Sequence, residues 1–260
     1  MKIKQIAASI LLMGLTMHDA FGQLHGEQSV TATMDLQPIL QLNTQTRQVD
    51  FDFNNIEDYY AGVTQYGATI LKVTSTVNWD MYVIGTSSGN VAPGCWDQQV
   101  KYGTGSGTNA TNRIPLSALE IRQNTPNNNA SAATGMYADY STPFPPISSP
   151  AGSNSIYVDP ANSGTPPKQE HKYIAGHAGI TGTGVDAVVG GSYLTTGGRS
   201  SDYYYTIDYR IVPGLPAIFP MAFDATGTVP QNLEQTQGQG TYAQPGVYTM
   251  NVQYILLEDQ

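Results

Sequence analysis

Apolar and polar residues alternate one for one in five stretches of this chain. Val30, Ala32, Met34 and Leu36 are set against Ser29, Thr31, Thr33 and Asp35, and Val49, Phe51 and Phe53 alternate with Asp50, Asp52 and Asn54. Trp79, Met81 and Val83 alternate with Asp80 and Tyr82. Tyr203, Tyr205, Ile207, Tyr209 and Ile211 alternate with Thr206, Asp208 and Arg210. Tyr248, Met250, Val252, Tyr254 and Leu256 alternate with Thr249, Asn251 and Gln253. Successive side chains of an extended strand point to opposite faces, so a period of two buries one set and wets the other. That is the pattern of half-buried antiparallel strands. Beyond the first 22 residues no stretch keeps a 3.6-residue apolar stripe, so the chain is predicted to be all-β. Short strands bounded by Gly, Pro, Asn and Ser point to a single antiparallel β-sandwich over residues 23–260.

Residues 1–22 read as a signal peptide. Lys2 and Lys4 precede a short apolar run from Ile6 to Met17, and Ala20-Phe21-Gly22 supplies small residues for cleavage. The run is too short to span a bilayer, which takes about 20 apolar residues. The expected location is therefore outside the cytoplasm, at the cell surface or in the periplasm, with no membrane span once the signal is removed. Lys and Arg number 11 against 20 Asp and Glu, a net charge of -9, which argues against nucleic acid and anionic membranes as partners. The lone Cys95 excludes an internal disulfide and any Cys-rich metal site.

The segment from Gly85 to Ser200 holds 17 of the 27 Gly and 10 of the 16 Pro, and is expected to be a loop-rich central insertion with extra short strands such as Ile114 to Ile121. Its Thr142-Pro143-Phe144-Pro145-Pro146 and Gly176 to Gly198 pieces read as plain loops or as a displayed binding surface.

Four patterns resemble chemistry. Gly85-Thr86-Ser87-Ser88-Gly89 fits G-x-S-x-G, but a nucleophile elbow needs a helix after the serine, and Asn90-Val91-Ala92-Pro93-Gly94 is no helix start. Gly182-Thr183-Gly184-Val185-Asp186-Ala187 fits a loose dinucleotide pattern without the helix that would receive a pyrophosphate. His171 and His177, near Glu170 and Asp186, would stand about 20 Å apart along a strand, too far to share an ion without a fold-back. Asp50, Asp52, Glu57 and Asp58 read as a solvated strand face, with weak calcium binding as the sharper alternative. No catalytic, metal-ligating or cofactor-binding residue is therefore nominated.

The 17 tyrosines carry more weight. Tyr59-Tyr60 and Tyr203-Tyr204-Tyr205, read as strand neighbours, alternate across a sheet, so one member of each run faces away from the core. Exposed tyrosine stacks on proteins and sugars, which makes Tyr59, Tyr60, Tyr203 and Tyr204 the candidate contact surface.

Two regions carry a family resemblance. One runs through Val49-Asp50-Phe51-Asp52-Phe53, Asp58-Tyr59-Tyr60-Ala61-Gly62, Ala68-Thr69-Ile70-Leu71-Lys72-Val73 and Asn78-Trp79-Asp80-Met81-Tyr82-Val83. The other is the terminal Gln244-Pro245-Gly246-Val247-Tyr248-Thr249-Met250-Asn251-Val252-Gln253-Tyr254. They resemble secreted immunoglobulin-like β-sandwich surface proteins of Bacteroidota, and are similar to fimbrial, spore-coat U and WxL-like domains. Residues 85–200 depart from that pattern, and the doubled W-x-L signature is absent. The resemblance implies an exported, non-enzymatic structural or adhesive protein that associates with itself, with other surface proteins or with glycans. In fimbrial subunits an N-terminal strand completes a neighbour's sheet. Val30, Ala32, Met34 and Leu36 then form either a donated strand or the first, edge strand of their own domain, with Pro38 ending the run.

Overall fold

A computed structural model of the chain describes residues 31–45, 48–77, 79–103, 107–124, 140, 142–147, 154–159, 166–167, 173–175, 204–220 and 231–258. The signal peptide, Val30, Tyr203, the His171 and His177 pair and the Gly182 to Ala187 pattern lie outside them. By its contacts the chain divides at Gln37, and the strands all belong to the part from Pro38 onward. In chain order they are β1 (Leu40–Thr44), β2 (Val63–Ser75), β3 (Trp79–Thr86), β4 (Asp97–Lys101), β5 (Ala110–Thr111), β6 (Leu119–Asn124), β7 (Tyr173–Ala175), β8 (Tyr204–Ile211), β9 (Tyr242–Ala243), β10 (Gly246–Thr249) and β11 (Asn251–Glu258). Among the described residues two short helices, α1 (Ile56–Ala61) and α2 (Leu233–Gln237), accompany the strands, with one 3-10 turn at Leu116–Ala118.

The expectation of an all-β chain with antiparallel sheets holds. One sheet has the order β1-β2-β8-β6 and another β11-β3-β7, all antiparallel, with two-stranded pairings β10-β4 and β5-β9 beside them. Among the described residues only β5-β9 is parallel. Leu71 and Val73 of β2, Ile121 of β6 and Tyr205, Ile207 and Tyr209 of β8 share one core with Trp79, Met81 and Val83 of β3 and Ile174 of β7. The two larger sheets thus bury their apolar faces together, as period-two strands must. Tyr254 on β11 and Tyr209 on β8 meet hydroxyl to hydroxyl, and the Tyr209 hydroxyl donates to Thr69 Oγ1 at 2.8 Å, which links the sheets through polar atoms.

Strand β3 is buried along both faces, more than the half-burial expected of it. Its outward Tyr82 and Ile84 are covered by Tyr157 and Tyr173, with the Tyr82 and Tyr173 rings edge to face at 5.9 Å. Strands β4, β6 and β7 arise within residues 85–200 yet pair with β10, β8 and β3, so this stretch supplies strands to the main sheets. The strand expected over Ile114 to Ile121 begins later, at Leu119, because Leu116–Ala118 coils into the 3-10 turn.

Two other expectations are corrected. Val49, Phe51 and Phe53 do pack on the core, but their segment joins no ladder; the Gln65 side chain, not a strand, donates to the Asp50 carbonyl at 2.8 Å. Tyr59 and Tyr60 lie on α1, not on a strand. Asn55 caps that helix and Asp58 closes a capping box, its carboxylate accepting from the Asn54 and Asn55 N–H groups at 2.8 and 3.0 Å. Gly62 ends it at φ 71°, where a Cβ would press on the Ile211 carbonyl oxygen at 2.6 Å.

Six of the 17 tyrosines lie in the interior: Tyr82, Tyr140, Tyr157, Tyr173, Tyr205 and Tyr209 are buried. Burial pushes the phenols of Tyr140, Tyr209 and Tyr254 above the ordinary value, and those of Tyr157 and Tyr248 up to about 12. The folded chain therefore retains phenolic protons that the unfolded chain releases near pH 10. Their contribution is fully present below that pH and is lost as pH rises through the folded values. An alkaline titration should show tyrosinate absorbance from these groups rising together with loss of near-ultraviolet dichroism. Full ionisation centred near pH 10 with the fold retained would contradict it.

Candidate functional site

Strands β6, β8 and β2 carry a polar outer face. The register sets Glu120 opposite Arg210, Arg210 opposite Thr64, and Arg122 opposite Asp208. This is the face that alternation assigns to solvent, but Glu120, Asp208 and Arg210 are buried. Arg210 holds Glu120 as a fork, Nε to one carboxylate oxygen at 2.6 Å and Nη2 to the other at 3.0 Å. Its Nη1 donates to the Pro145 carbonyl at 2.8 Å, and its guanidinium lies over the Phe144 ring, 4.6 Å from the centroid. The Pro-rich piece therefore straps down over an ion pair.

Beside it β2 bulges between Gln65 and Thr69. Gly67 takes φ 58° there, and its N–H donates to Asp208 Oδ1 at 2.7 Å. The bulge re-aims Tyr66, which is 73% exposed. Thr64, Tyr66, Arg122 and Arg210 on the sheet and residues 143–147 opposite line an open groove of about 360 Å³. Arg122 Nε, and Asp208 Oδ2 across the ladder from it, are enclosed atoms without a hydrogen bond. The Glu120 charge is occupied by Arg210, whereas Arg122 forms no ion pair among the described residues.

A second surface lies at the sheet margins. The outer edges of β1 and β11 carry no strand among the described residues, and the two strands approach one another. The inward side chains Leu40, Leu42, Val252, Tyr254 and Leu256 on them are only partly buried. Thr31 to Gln37, which carry Ala32, Met34 and Leu36, form no strand. Met34 is 80% and Leu36 82% exposed.

Of the nominated tyrosines, Tyr60 is 57% exposed, whereas Tyr59 is partly buried against Phe53 with ring centroids 5.6 Å apart. Tyr204 opens β8 opposite Lys72. Tyr59 and Tyr60 on α1 are thus separated from the groove tyrosine, Tyr66, which the sequence reading passed over. The signal for it was Gly67, an isolated glycine inside a strand pattern, which marks a bulge.

The remaining motifs have structural roles. Ser87 to Gly89 form a loop after β3, and the buried Asp97 carboxylate accepts from the Ser88 N–H at 2.6 Å and the Asn90 N–H at 3.0 Å. Burial pushes that carboxyl up, but the hydrogen bonds from Ser88, Asn90 and Gly89 outweigh it and hold it below the ordinary range. In Pro245-Gly246-Val247-Tyr248 a Cβ on Gly246 would run into the Val100 carbonyl oxygen, and the Tyr248 hydroxyl donates back to the Gln244 carbonyl at 2.7 Å. The half-buried Cys95 thiol is pushed up by burial, partly opposed by Arg113. Among the described residues no three acidic, His or Cys side chains converge as a metal requires, and no helix is long and apolar enough to cross a membrane. No protein-family model matches the chain, and no curated protein matches its sequence.

Proposed function

We propose that this chain is a secreted, non-enzymatic surface protein of structural or adhesive role, built as an immunoglobulin-like β-sandwich and assembled into a fimbria-like appendage. The observation that carries this reading is the exposure of Met34 and Leu36 in an alternating segment that belongs to no strand. Val30, Ala32, Met34 and Leu36 offer four apolar side chains on one face once the segment is extended. The unpaired edges of β1 and β11 offer main-chain partners, and the half-covered side chains between them offer apolar contacts. Strand addition supplies both, with ladder hydrogen bonds for affinity and alternate side chains for register. It also explains how two bare edges are kept from indiscriminate pairing.

Deleting residues 28–36 tests the donation. A monomer with unchanged thermal midpoint that no longer polymerises is the expected result; unfolding on deletion would make the segment part of its own domain. Negative-stain microscopy of the sheared surface fraction supplies the cellular arm, with filaments expected to vanish in a deletion strain. A second reading, a carbohydrate-binding module, draws support from Tyr66, an exposed aromatic ring lining the same groove as Arg122, whose guanidinium has no ion-pair partner among the described residues.

A further inference from the structure

We infer that the groove between the β2 bulge and residues 143–147 is a binding site for an acidic oligosaccharide, with Arg122 pairing the carboxylate of a uronic acid and Tyr66 stacking on a pyranose. The inference rests on the carbohydrate-binding reading and is independent of strand donation.

Arg122 is the first argument. Lys and Arg are scarce in this chain, 11 in 260 residues, and a guanidinium without a counter-ion is costly to enclose. Its neighbour Arg210 is neutralised by a two-pronged carboxylate, but Arg122 makes no ion pair with a described residue and its Nε is enclosed without a hydrogen bond. Across the ladder stands Asp208, which takes the Gly67 N–H on Oδ1, keeps Oδ2 enclosed without a hydrogen bond, and lies beyond ion-pair distance of Arg122. The fork of an arginine matches a carboxylate in shape as well as charge.

The ring of Tyr66 is the second argument. It is 73% exposed on a bulge fixed by Gly67 and Asp208, so it is displayed and held rather than left loose. An open groove of about 360 Å³ falls in the range of small-ligand sites and has room for one or two sugar rings. A peptide carboxylate would satisfy Arg122 equally, but the groove lies on a sheet face, and the outer edge of β6 beside it is already hydrogen-bonded to Tyr140, Asn154 and Ile156, which leaves little of it for a peptide backbone. The aromatic floor favours the sugar.

The test is calorimetric titration of the secreted chain with trigalacturonate, triglucuronate, the methyl ester of trigalacturonate, neutral galactotriose and a tripeptide with a free C-terminus. At least one of the two acidic trisaccharides should bind. Arg122→Gln and Tyr66→Ala should each weaken that binding about tenfold or more, the scale of one lost charge-assisted contact or stacked ring, with thermal midpoints unchanged. Arg122→Lys should recover part of the loss. Equal binding of acid and ester would overturn carboxylate recognition while leaving a glycan site standing. Binding of none of the sugars, preference for the tripeptide, or indifference to both substitutions would overturn the inference, and the first two would overturn the carbohydrate reading with it.

Discussion

Glu120→Ala is expected to lower stability by about 3–5 kcal/mol, the cost of leaving one half of a buried ion pair uncompensated. Glu120 has no exposed surface, and both its oxygens accept from Arg210. After truncation the guanidinium keeps, among the described residues, the Pro145 carbonyl and the Phe144 ring. Neither carries a formal charge, and Arg210 is itself buried, with little surface open to water. The converse substitution, Arg210→Met, should cost a similar amount by stranding the carboxylate. Replacing both partners together, Glu120→Leu with Arg210→Met, should cost far less than either alone, because apolar residues of similar volume need no counter-charge. Urea unfolding midpoints of Glu120→Leu, Arg210→Met and the double variant close the cycle. Additive losses would show that the two side chains act separately. An unchanged midpoint in Glu120→Ala would show that water enters to solvate Arg210.

That pair also marks where local sequence stops being informative. The inward face of β8 is legible from alternation alone: Tyr205, Ile207, Tyr209 and Ile211 are all buried. Alternation also gives Asp208 and Arg210 a common face, but it wets that face, and the structure does not. What covers them, Glu120 and Pro145, stands 90 and 65 residues away, so no local window contains the cause. The same holds for β3, where Tyr82 is buried by Tyr157 and Tyr173 from distant segments.

Other discrepancies had local signals. Asn55 and Asp58 form a capping box that sets Tyr59 and Tyr60 on a helix, about 100° apart instead of on opposite faces. The run from Tyr248 to Leu256 does keep one face toward the core, but the strand breaks at Met250 and changes partner from β4 to β3. A period of two records which face is buried, not which strand supplies the hydrogen bonds. The groove is harder still to read, since Tyr66, Arg122 and Phe144 converge only through the register of β2, β8 and β6 and the path of the strap. Composition hinted at binding tyrosines; topology decides which of them is displayed.

Trp79→Ala is expected to cost about 3–5 kcal/mol, at the upper end for a single truncation in a core. Trp79 opens β3, is fully buried, and meets Tyr205 of β8 edge to face, with centroids 6.3 Å apart and an interplanar angle of 85°. It therefore joins the two larger sheets at one point, and its loss leaves a cavity lined by both. The ring geometry adds about 0.5–1.5 kcal/mol beyond area burial, and a double-mutant cycle with Tyr205→Leu should return a coupling of that size. Trp79→Phe should behave differently. The indole Nε1 is enclosed without a hydrogen-bond partner, a defect of about 1–3 kcal/mol that phenylalanine removes. Phenylalanine leaves a smaller void than alanine and keeps an aromatic edge against Tyr205. Relief of the unpaired donor then offsets much of the lost volume, so Trp79→Phe should retain well over half of the stability that Trp79→Ala forfeits. Equal midpoints for the two variants in urea would mean that the indole N–H is satisfied by water in solution, and that the packing at this position depends on the full width of the indole.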